Sequence, residues 1–452
     1  MSNPSFLRKN ISVAWPLALN ALLMQSMLMI DTFLISPLGE ISLAAMGIAS
    51  TIVAFIMGIQ MALANGSQLV LSRAVGSGVK ASLARGYWAG MIINLTVALF
   101  FLILLQLFNH QIIEALTDDT SLYAEILSYL SVSQYLVLYT AVTQISIALF
   151  NASGQTKVPF KGYLIEMPIN ALLSYLFIHG WGGFEGHGVK GAALGSVVAI
   201  TIRAIYLYAC MHRWKDLDLA LKPHLSSLGK SIKNHFLEIF PIAANVTILS
   251  IGATLYQLIY SQLSLNAYVA ITLIFPWIRS GSQFITAWSI SSAIAVSQAI
   301  GSNKMDDLVD NVDKSIDVAI GISFITALLF GVLSLFIGHF YPDLDPVTYA
   351  ALAAIAPLYV FLPIARGYNT VHGNVLRALG KTTAVFKINF TGQWIISIPL
   401  CALIVLYFDG SVFWAFAIQP FEELIKMLPF RHLARKSLRE FDHEQAKKLM
   451  YD

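Results

Sequence analysis

The sequence predicts an all-α membrane protein with about twelve transmembrane helices, arranged as two six-helix bundles related by a parallel repeat. Three observations predict it: the composition, the recurrence of long apolar segments, and the self-similarity of the two halves. Hydrophobic residues make up 57% of the 452 residues and charged residues only 12%, and the mean hydropathy is +0.70. A soluble chain carries about 25% charged residues, so there is too little polar surface here to cover a water-soluble globule. The net charge of +3 is small, and no long run of like charges points to nucleic acid.

Apolar segments of about 20 residues or more, enough to cross a bilayer, recur along the chain. Span 1 is expected at 12–36, after Arg8 and Lys9. This opening is similar to the charge pattern of a signal peptide, but no small-residue cleavage site follows, so it reads as an uncleaved first span. Spans 2 to 6 are expected at 42–72, 86–108, 122–149, 159–180 and 188–211. Spans 7 to 12 are expected at 237–262, 266–299, 314–338, 347–376, 384–407 and 411–430. They read as helices because lipid cannot satisfy free backbone groups and each segment exceeds the length of a barrel strand.

The loops test the count independently, since cations collect on the cytoplasmic side. Of the odd-numbered loops, the one after span 1 has Glu40 alone, the one after span 3 has Glu114, Asp118 and Asp119, the one after span 5 has Glu185 and Lys190, the one after span 7 has no charge, and those after spans 9 and 11 have Asp343, Asp345 and Asp409. The even-numbered loops hold the cations, with Arg73, Lys80 and Arg85 after span 2, Lys157 and Lys161 after span 4, Arg213, Lys215, Lys222, Lys230 and Lys233 after span 6, Lys304 after span 8 and Lys381 after span 10. The tail adds Arg431, Arg435, Lys436 and Arg439. Both termini are therefore expected in the cytoplasm, with the chain in the cytoplasmic (inner) membrane.

A hydrophilic stretch from Arg213 to Asn234 divides the sequence. The expected organisation is a first bundle at 1–212, a cytoplasmic linker at 213–234, a second bundle at 235–432 and a tail at 433–452. At an offset of 225, Pro16, Asn20, Ser36 and Leu38 fall on Pro241, Asn245, Ser261 and Leu263, and Ser72, Ala74 and Gly76 fall on Ser297, Ala299 and Gly301. One residue later in register, Ala152, Gly154, Thr156, Phe160 and Lys161 fall on Ala378, Gly380, Thr382, Phe386 and Lys387. Six spans is an even number, so the halves enter from the same side and form parallel repeats.

Three segments, Met29–Ser50, Asn151–Lys161 with its echo Leu376–Lys387, and Gly186–Ala199, together resemble the multidrug and toxic compound extrusion (MATE) family along essentially the full chain. The resemblance implies two six-helix lobes around a V-shaped cleft, and export of small organic molecules or drugs by alternating access in exchange for Na⁺ or H⁺. The rival twelve-span family, the major facilitator superfamily, usually carries a Gly-x-x-x-Asp-Arg-x-Gly-Arg-Arg loop between spans 2 and 3, and that pattern is absent here.

Ionisable groups inside a span are expensive and each is a functional candidate. Asp31 matches the family's span-1 aspartate, which the resemblance implies binds the coupling ion. Its repeat partner is Tyr256. Glu166, Asn170 and Ser174 follow at i, i+4 and i+8 along one face of span 5. Asn170 matches an asparagine of the amino-lobe site in some members, whereas Ser174 stands where those members have an aspartate, which weakens a complete Na⁺ site of oxygen ligands. Glu166 is also near Lys161 and could pair with it. The ion-coupling candidates are thus Asp31, Glu166, Asn170 and Ser174, with the proton favoured.

Many bacterial members of that family carry acids in spans 7 and 10; here Pro241–Ser264 and span 10 contain no Asp or Glu, so the carboxyl half is expected to lack a coupling acid. Instead span 8 carries Arg279 and span 10 carries Arg366. A permanent guanidinium in a span needs a carboxylate, a water-filled cavity or an anion; a tie from Arg366 to Asp31 or Glu166 is one possibility, an anionic or zwitterionic substrate another. Tyr256, Phe275, Trp277 and Tyr368 join the two arginines as substrate-site candidates. The alternative function is then export or flipping of a specific anionic or zwitterionic metabolite, siderophore-like or lipid-linked. Arg203 is expected to snorkel at the end of span 6.

Cys210 and Cys401 lie apart in apolar stretches, implying neither a disulfide framework nor a metal site. The sequence at Gly380–Thr383 is similar to part of a phosphate loop, but Val375 stands where that loop needs glycine and no strand precedes it. No enzyme motif is found. No cofactor is expected beyond the coupling ion, and the expected partners are a small organic substrate and the bilayer, without nucleic acid, for a monomeric chain.

Overall fold

The computed structural model describes residues 4–215, 217–219, 225–304, 306–342 and 344–450. The chain is an all-α membrane protein. In its first half, α1 (Pro4–Ile35), α2 (Glu40–Ser77), α3 (Lys80–Glu114), α4 (Thr120–Ser133), α5 (Leu136–Ala152), α6 (Lys157–His179) and α7 (Val189–Arg213) follow in order. A two-residue antiparallel hairpin of β1 (Gly180–Trp181) and β2 (Phe184–Glu185) joins α6 to α7.

The second half repeats the pattern with α8 (Leu225–Tyr260), α9 (Leu265–Gly301), α10 (Leu308–Phe340), α11 (Pro346–Ala378), α12 (Thr382–Phe390), α13 (Ile398–Ala402) and α14 (Val412–Glu440), followed by a short α15 (His443–Leu449). Span 4 is broken into α4 and α5, and span 11 into α12 and α13. The latter break is π-helical, at Thr391–Ser397 and again at Leu403–Tyr407, on either side of the amide-deficient Pro399.

Helix ends carry their own signals. Asp119, Ser264, Asp345 and Asp442 accept from backbone N–H groups of the following turn, satisfying donors that a helix start leaves free. Among the described residues, ten helical stretches are long and apolar enough to cross a membrane. The helices of expected spans 5 and 12, α6 and α14, are more polar because of Lys157, Lys161 and Glu166 in one and Glu422, Glu423, Lys426 and a basic end in the other. Large apolar side chains lie exposed along single faces, as with Phe324, Leu328, Leu329, Leu335 and Phe336 of α10. In water such a face would be a liability; in hydrocarbon it is the solvated surface.

The chain divides into two compact units, residues 19–243 and residues 4–18 with 244–450. The boundaries differ from the expected bundles at both first helices, α1 and α8. Residues 4–18 count with the second unit, where Ser291 Oγ donates to the Asn10 carbonyl at 2.9 Å. The beginning of α8 counts with the first unit, where Ser67 Oγ meets His235 Nε2 at 2.8 Å and Arg73 pairs with Glu238 at 2.6 Å. At the repeat offset of 225 Asn10 falls on His235, so the same exchange is made twice. The linker expected at 213–234 is shorter than its composition suggests: α8 is helical from Leu225, while 216 and 220–224, with Lys222, lie outside the described residues, as does Asp343. The expected tail is largely helical, because α14 continues to Glu440.

Each unit has its own apolar core. In the first, Ile35, Met46, Val53, Ile56, Leu105, Ile126 and Leu130 pack together. In the second, Tyr260, Ile271, Ile274, Leu352, Ile355, Tyr359 and Phe416 do so.

Candidate functional site: two buried polar clusters

Asp31 lies in the last turns of α1, which stops where Pro37 and Gly39 turn the chain into α2. Asp31 is 8% exposed. Asn170 Nδ2 donates to Oδ1 at 3.1 Å, Ser174 Oγ to Oδ1 at 3.3 Å and Ser196 Oγ to Oδ2 at 3.4 Å. The i, i+4 spacing puts Asn170 and Ser174 on one face of α6, and Ser196 comes from α7.

Glycine makes that meeting possible. A Cβ at Gly195 would lie 2.5 Å from Ser174 Oγ, and one at Gly191 would lie 2.2 Å from the Phe177 carbonyl oxygen. Only hydrogen at these positions lets α6 and α7 approach until serines of both reach one carboxylate. No cation is among the partners of Asp31 in the described residues. A carboxylate removed from water without a counter-charge costs several kcal/mol. Three neutral donors offset part of this, the Asn170 amide at 3.1 Å more than the two hydroxyls, whose contacts at 3.3 and 3.4 Å are long for O–H donors.

Glu166 does not join this cluster. Its Oε2 is 2.5 Å from Arg203 Nη1, and that guanidinium lies 4.2 Å from the Tyr163 ring centroid and 3.4 Å from Thr143 Oγ1. Arg203 does not snorkel: it is 3% exposed, because α7 continues ten residues beyond it to Arg213. Lys161 is not the partner of Glu166. The pair is a tie between α6 and α7.

The second unit is not devoid of acid. Glu422 and Glu423, on α14, are both buried. Tyr256 Oη donates to Glu422 Oε2 at 2.6 Å, and Lys426 Nζ lies 2.9 Å from Glu422 and 3.4 Å from Glu423. Arg366 Nε lies 3.3 Å from Glu423 Oε1, and Asn369 Nδ2 donates to Glu423 Oε2 at 2.8 Å. The tie of Arg366 is therefore to Glu423, a neighbour across α11 and α14, and not to Asp31 or Glu166. The sequence carried the missing signal: two acids and a lysine at i+3 and i+4 spacing inside expected span 12.

This cluster forms one wall of a cavity of about 660 Å³ within the second unit. Tyr256, Phe275, Arg279 and Arg366 line it together. Trp277 and Tyr368 do not. Trp277 turns to the core edge, donating from Nε1 to Tyr341 Oη at 3.1 Å beside Phe340, and Tyr368 packs on His372 with ring centroids 4.2 Å apart. Gln393 reaches the cavity from the first π-helical stretch, and Gly252 admits it: a Cβ there would lie 2.3 Å from Gln393 Oε1.

Ionisable groups buried inside lipid-facing helices mark transport pathways more often than packing, and a duplicated bundle is an architecture of secondary transporters. The MatE family model matches residues 16–176 and 241–403, once in each half, and the chain belongs to this family of membrane transporters, which are not enzymes. It is 24% identical over 407 residues to the uncharacterized transporter YisQ of Bacillus subtilis, covering 87% of this chain and 86% of that one. It is 22% identical over 407 residues to the multidrug resistance protein NorM of Burkholderia vietnamiensis, covering 86% and 84%. The fold is shared with the bent form of the MATE transporter VcmN of Vibrio cholerae, with a TM-score of 0.80, 18% identity and 97% and 99% of the two chains covered.

Proposed function

We propose that the chain exports small organic solutes in exchange for a cation, by alternating access, with Asp31 as the group that takes up the coupling ion. The observation that carries this reading is a carboxylate buried in α1 whose partners, Asn170, Ser174 and Ser196, are all neutral. Uptake of a cation removes the net charge and with it the hold of the three donors on α1. Release restores both. A cation drives a conformational exchange only by the difference in its affinity for the two states, and a site made of donors from α6 and α7 around an acid of α1 changes affinity whenever those helices shift. Because α1 contributes to both units, its movement is one both units feel.

The ion we assign is H⁺. Asn170 presents its amide N–H to the carboxylate, and Ser174 offers a hydroxyl and not a carboxylate, so few oxygens remain to complete the six or so ligands that a hard cation collects. Glu166, neutralised by Arg203, has a positioning part only. The cations collected in the loops after expected spans 2, 4 and 6 and in the tail support cytoplasmic termini in the inner membrane. A relative named for multidrug resistance supports export as the direction.

Proteoliposomes test the reading. An imposed pH gradient should drive solute accumulation by the wild type, a Na⁺ gradient should not, and Asp31→Asn should abolish the gradient-driven component. Full pH-gradient dependence in Asp31→Asn would overturn it, and Na⁺-driven accumulation would replace the proton as the ion.

A further inference from the structure

The cavity of the second unit holds more positive charge than it neutralises. Arg279, Arg366, Arg377 and Lys426 reach it against Glu422 and Glu423, four cations to two carboxylates. Both carboxylates are already committed, Glu422 to Lys426 and Tyr256, Glu423 to Lys426, Arg366 and Asn369. Arg377 Nη1 donates to Asn374 Oδ1 at 3.2 Å. Among the described residues, the Arg279 side chain has no acceptor. A guanidinium stays ionised and presents five donors in a planar fork that matches a carboxylate or phosphate.

The remaining wall is polar in a way that an apolar drug does not need. Gln257, Gln283, Thr254, Ser282 and Thr370 line it. Two buried acceptors at its edge, Gln393 Oε1 and Asn369 Oδ1, have no hydrogen-bond partner among the described residues. Gln393 is 5% exposed. Buried acceptors are ordinarily paired, and these two ask for hydroxyl or amino donors.

We propose that this cavity is the solute site and that its ligand is a hydrophilic organic anion, a carboxylate or phosphate on a scaffold bearing hydroxyl groups. The anion meets Arg279, backed by Arg366, and the hydroxyls donate to Gln393 and Asn369. A lipophilic cation would face an excess of like charge. This assigns the substrate class of the exporter proposed above and rests on that reading. Binding is read without any ion gradient, however, so failure of coupling and failure of the site are separate results.

The test is equilibrium titration of the purified full chain in detergent with D-glucuronate, glucose 6-phosphate, uncharged glucose and ethidium. Saturable binding of either anion is expected, with glucose and ethidium silent. Arg279→Gln should weaken the anion about tenfold or more, the loss expected of a charge-assisted contact worth about 1.4 kcal/mol, while Arg279→Lys recovers most of it. Gln393→Leu should weaken glucuronate but not acetate, which has no hydroxyl to lose. Melting of each variant without ligand controls for folding. If the sugar anions are silent and phosphatidylinositol in the micelles binds in an Arg279-dependent way, the same anion-and-hydroxyl chemistry comes from a lipid headgroup, and the site stands. Anion affinity unchanged by Arg279→Gln, or ethidium binding with no anion bound, overturns the proposal.

Discussion

The two units solve the problem of a buried acid in opposite ways. In the first, Asp31 stands on the opening helix and its hydrogen-bond partners are an amide and two hydroxyls, one of them Ser196 on the closing helix α7. In the second, the repeat position of Asp31 is Tyr256, a hydroxyl, and the acid Glu422 stands on the closing helix α14. At the 226-residue offset that aligns Lys161 with Lys387, Ser196 falls on Glu422 itself. Acid and hydroxyl have traded helices between repeats. The trade changes the charge around the acid, because α14 also supplies Lys426, and α11 supplies Arg366. Among the described residues the first acid has no counter-charge, and it suits reversible uptake of a cation. The second is locked in a network of ion pairs and suits holding a cavity wall in shape.

The largest expected effect comes from removing the charge that distinguishes the clusters. Lys426→Met leaves Glu422 and Glu423 buried with Arg366 as their remaining cation, and removing one partner of a buried ion pair costs about 3–5 kcal/mol. Asp31→Asn removes no such partner and keeps an oxygen to accept from Asn170 and Ser174, so its stability change should stay within about 1 kcal/mol. Denaturation of both variants in detergent, monitored by intrinsic fluorescence, gives the comparison directly. Equal losses would mean that Asp31 is as firmly paired as the α14 acids, and the contrast between the units would fail.

Tyr256→Phe is the next step down. It keeps the ring, which packs on Tyr260 at 6.0 Å between centroids, and removes one short hydrogen bond to Glu422. A hydrogen bond to a charged group contributes about 1.5–3 kcal/mol, and Lys426 remains to hold the carboxylate, so a loss near the lower end, about 1.5 kcal/mol, is expected in the same denaturation measurement. A loss as large as that of Lys426→Met would make the hydroxyl, and not the lysine, the principal partner of Glu422.

The helices and the Asp31 site were legible in the sequence for one physical reason: lipid tolerates few exceptions. Long apolar segments announce spans, and a lone acid inside one stands out. Glu422, Glu423 and Lys426 obey the same rule within 411–430, yet the basic run that follows from Arg431 makes that segment look like the end of the membrane. Arg203 is too far from the end of α7 for its side chain to reach water, and its pairing with Glu166 depends on how α6 and α7 pack. The pairing of Arg366 with Glu423, 57 positions away, and the entry of Gln393 against Gly252 depend on which helices touch. Neither periodicity nor composition carries that information, and the π-helical turns that rotate Gln393 have no strong local signature.

The smallest effect sharpens the comparison at the serine that traded places with Glu422. Ser196→Ala removes the longest of the three contacts to Asp31, at 3.4 Å, and, among the described residues, the one hydrogen bond to Oδ2. A bond of that length lies beyond the usual range for a hydroxyl donor, so the stability change should be under about 1 kcal/mol. Coupling should nevertheless respond. With one donor to the carboxylate gone, the charged form is held less well and the acid should take up its cation more readily. The external pH at which transport is half-maximal should then move upward in Ser196→Ala, by less than it moves in Asn170→Ala, whose contact is shorter at 3.1 Å. Initial rates of solute uptake across a series of external pH values, at fixed internal pH, read the shift. The opposite order would make α7, and not α6, the helix that sets the affinity of Asp31.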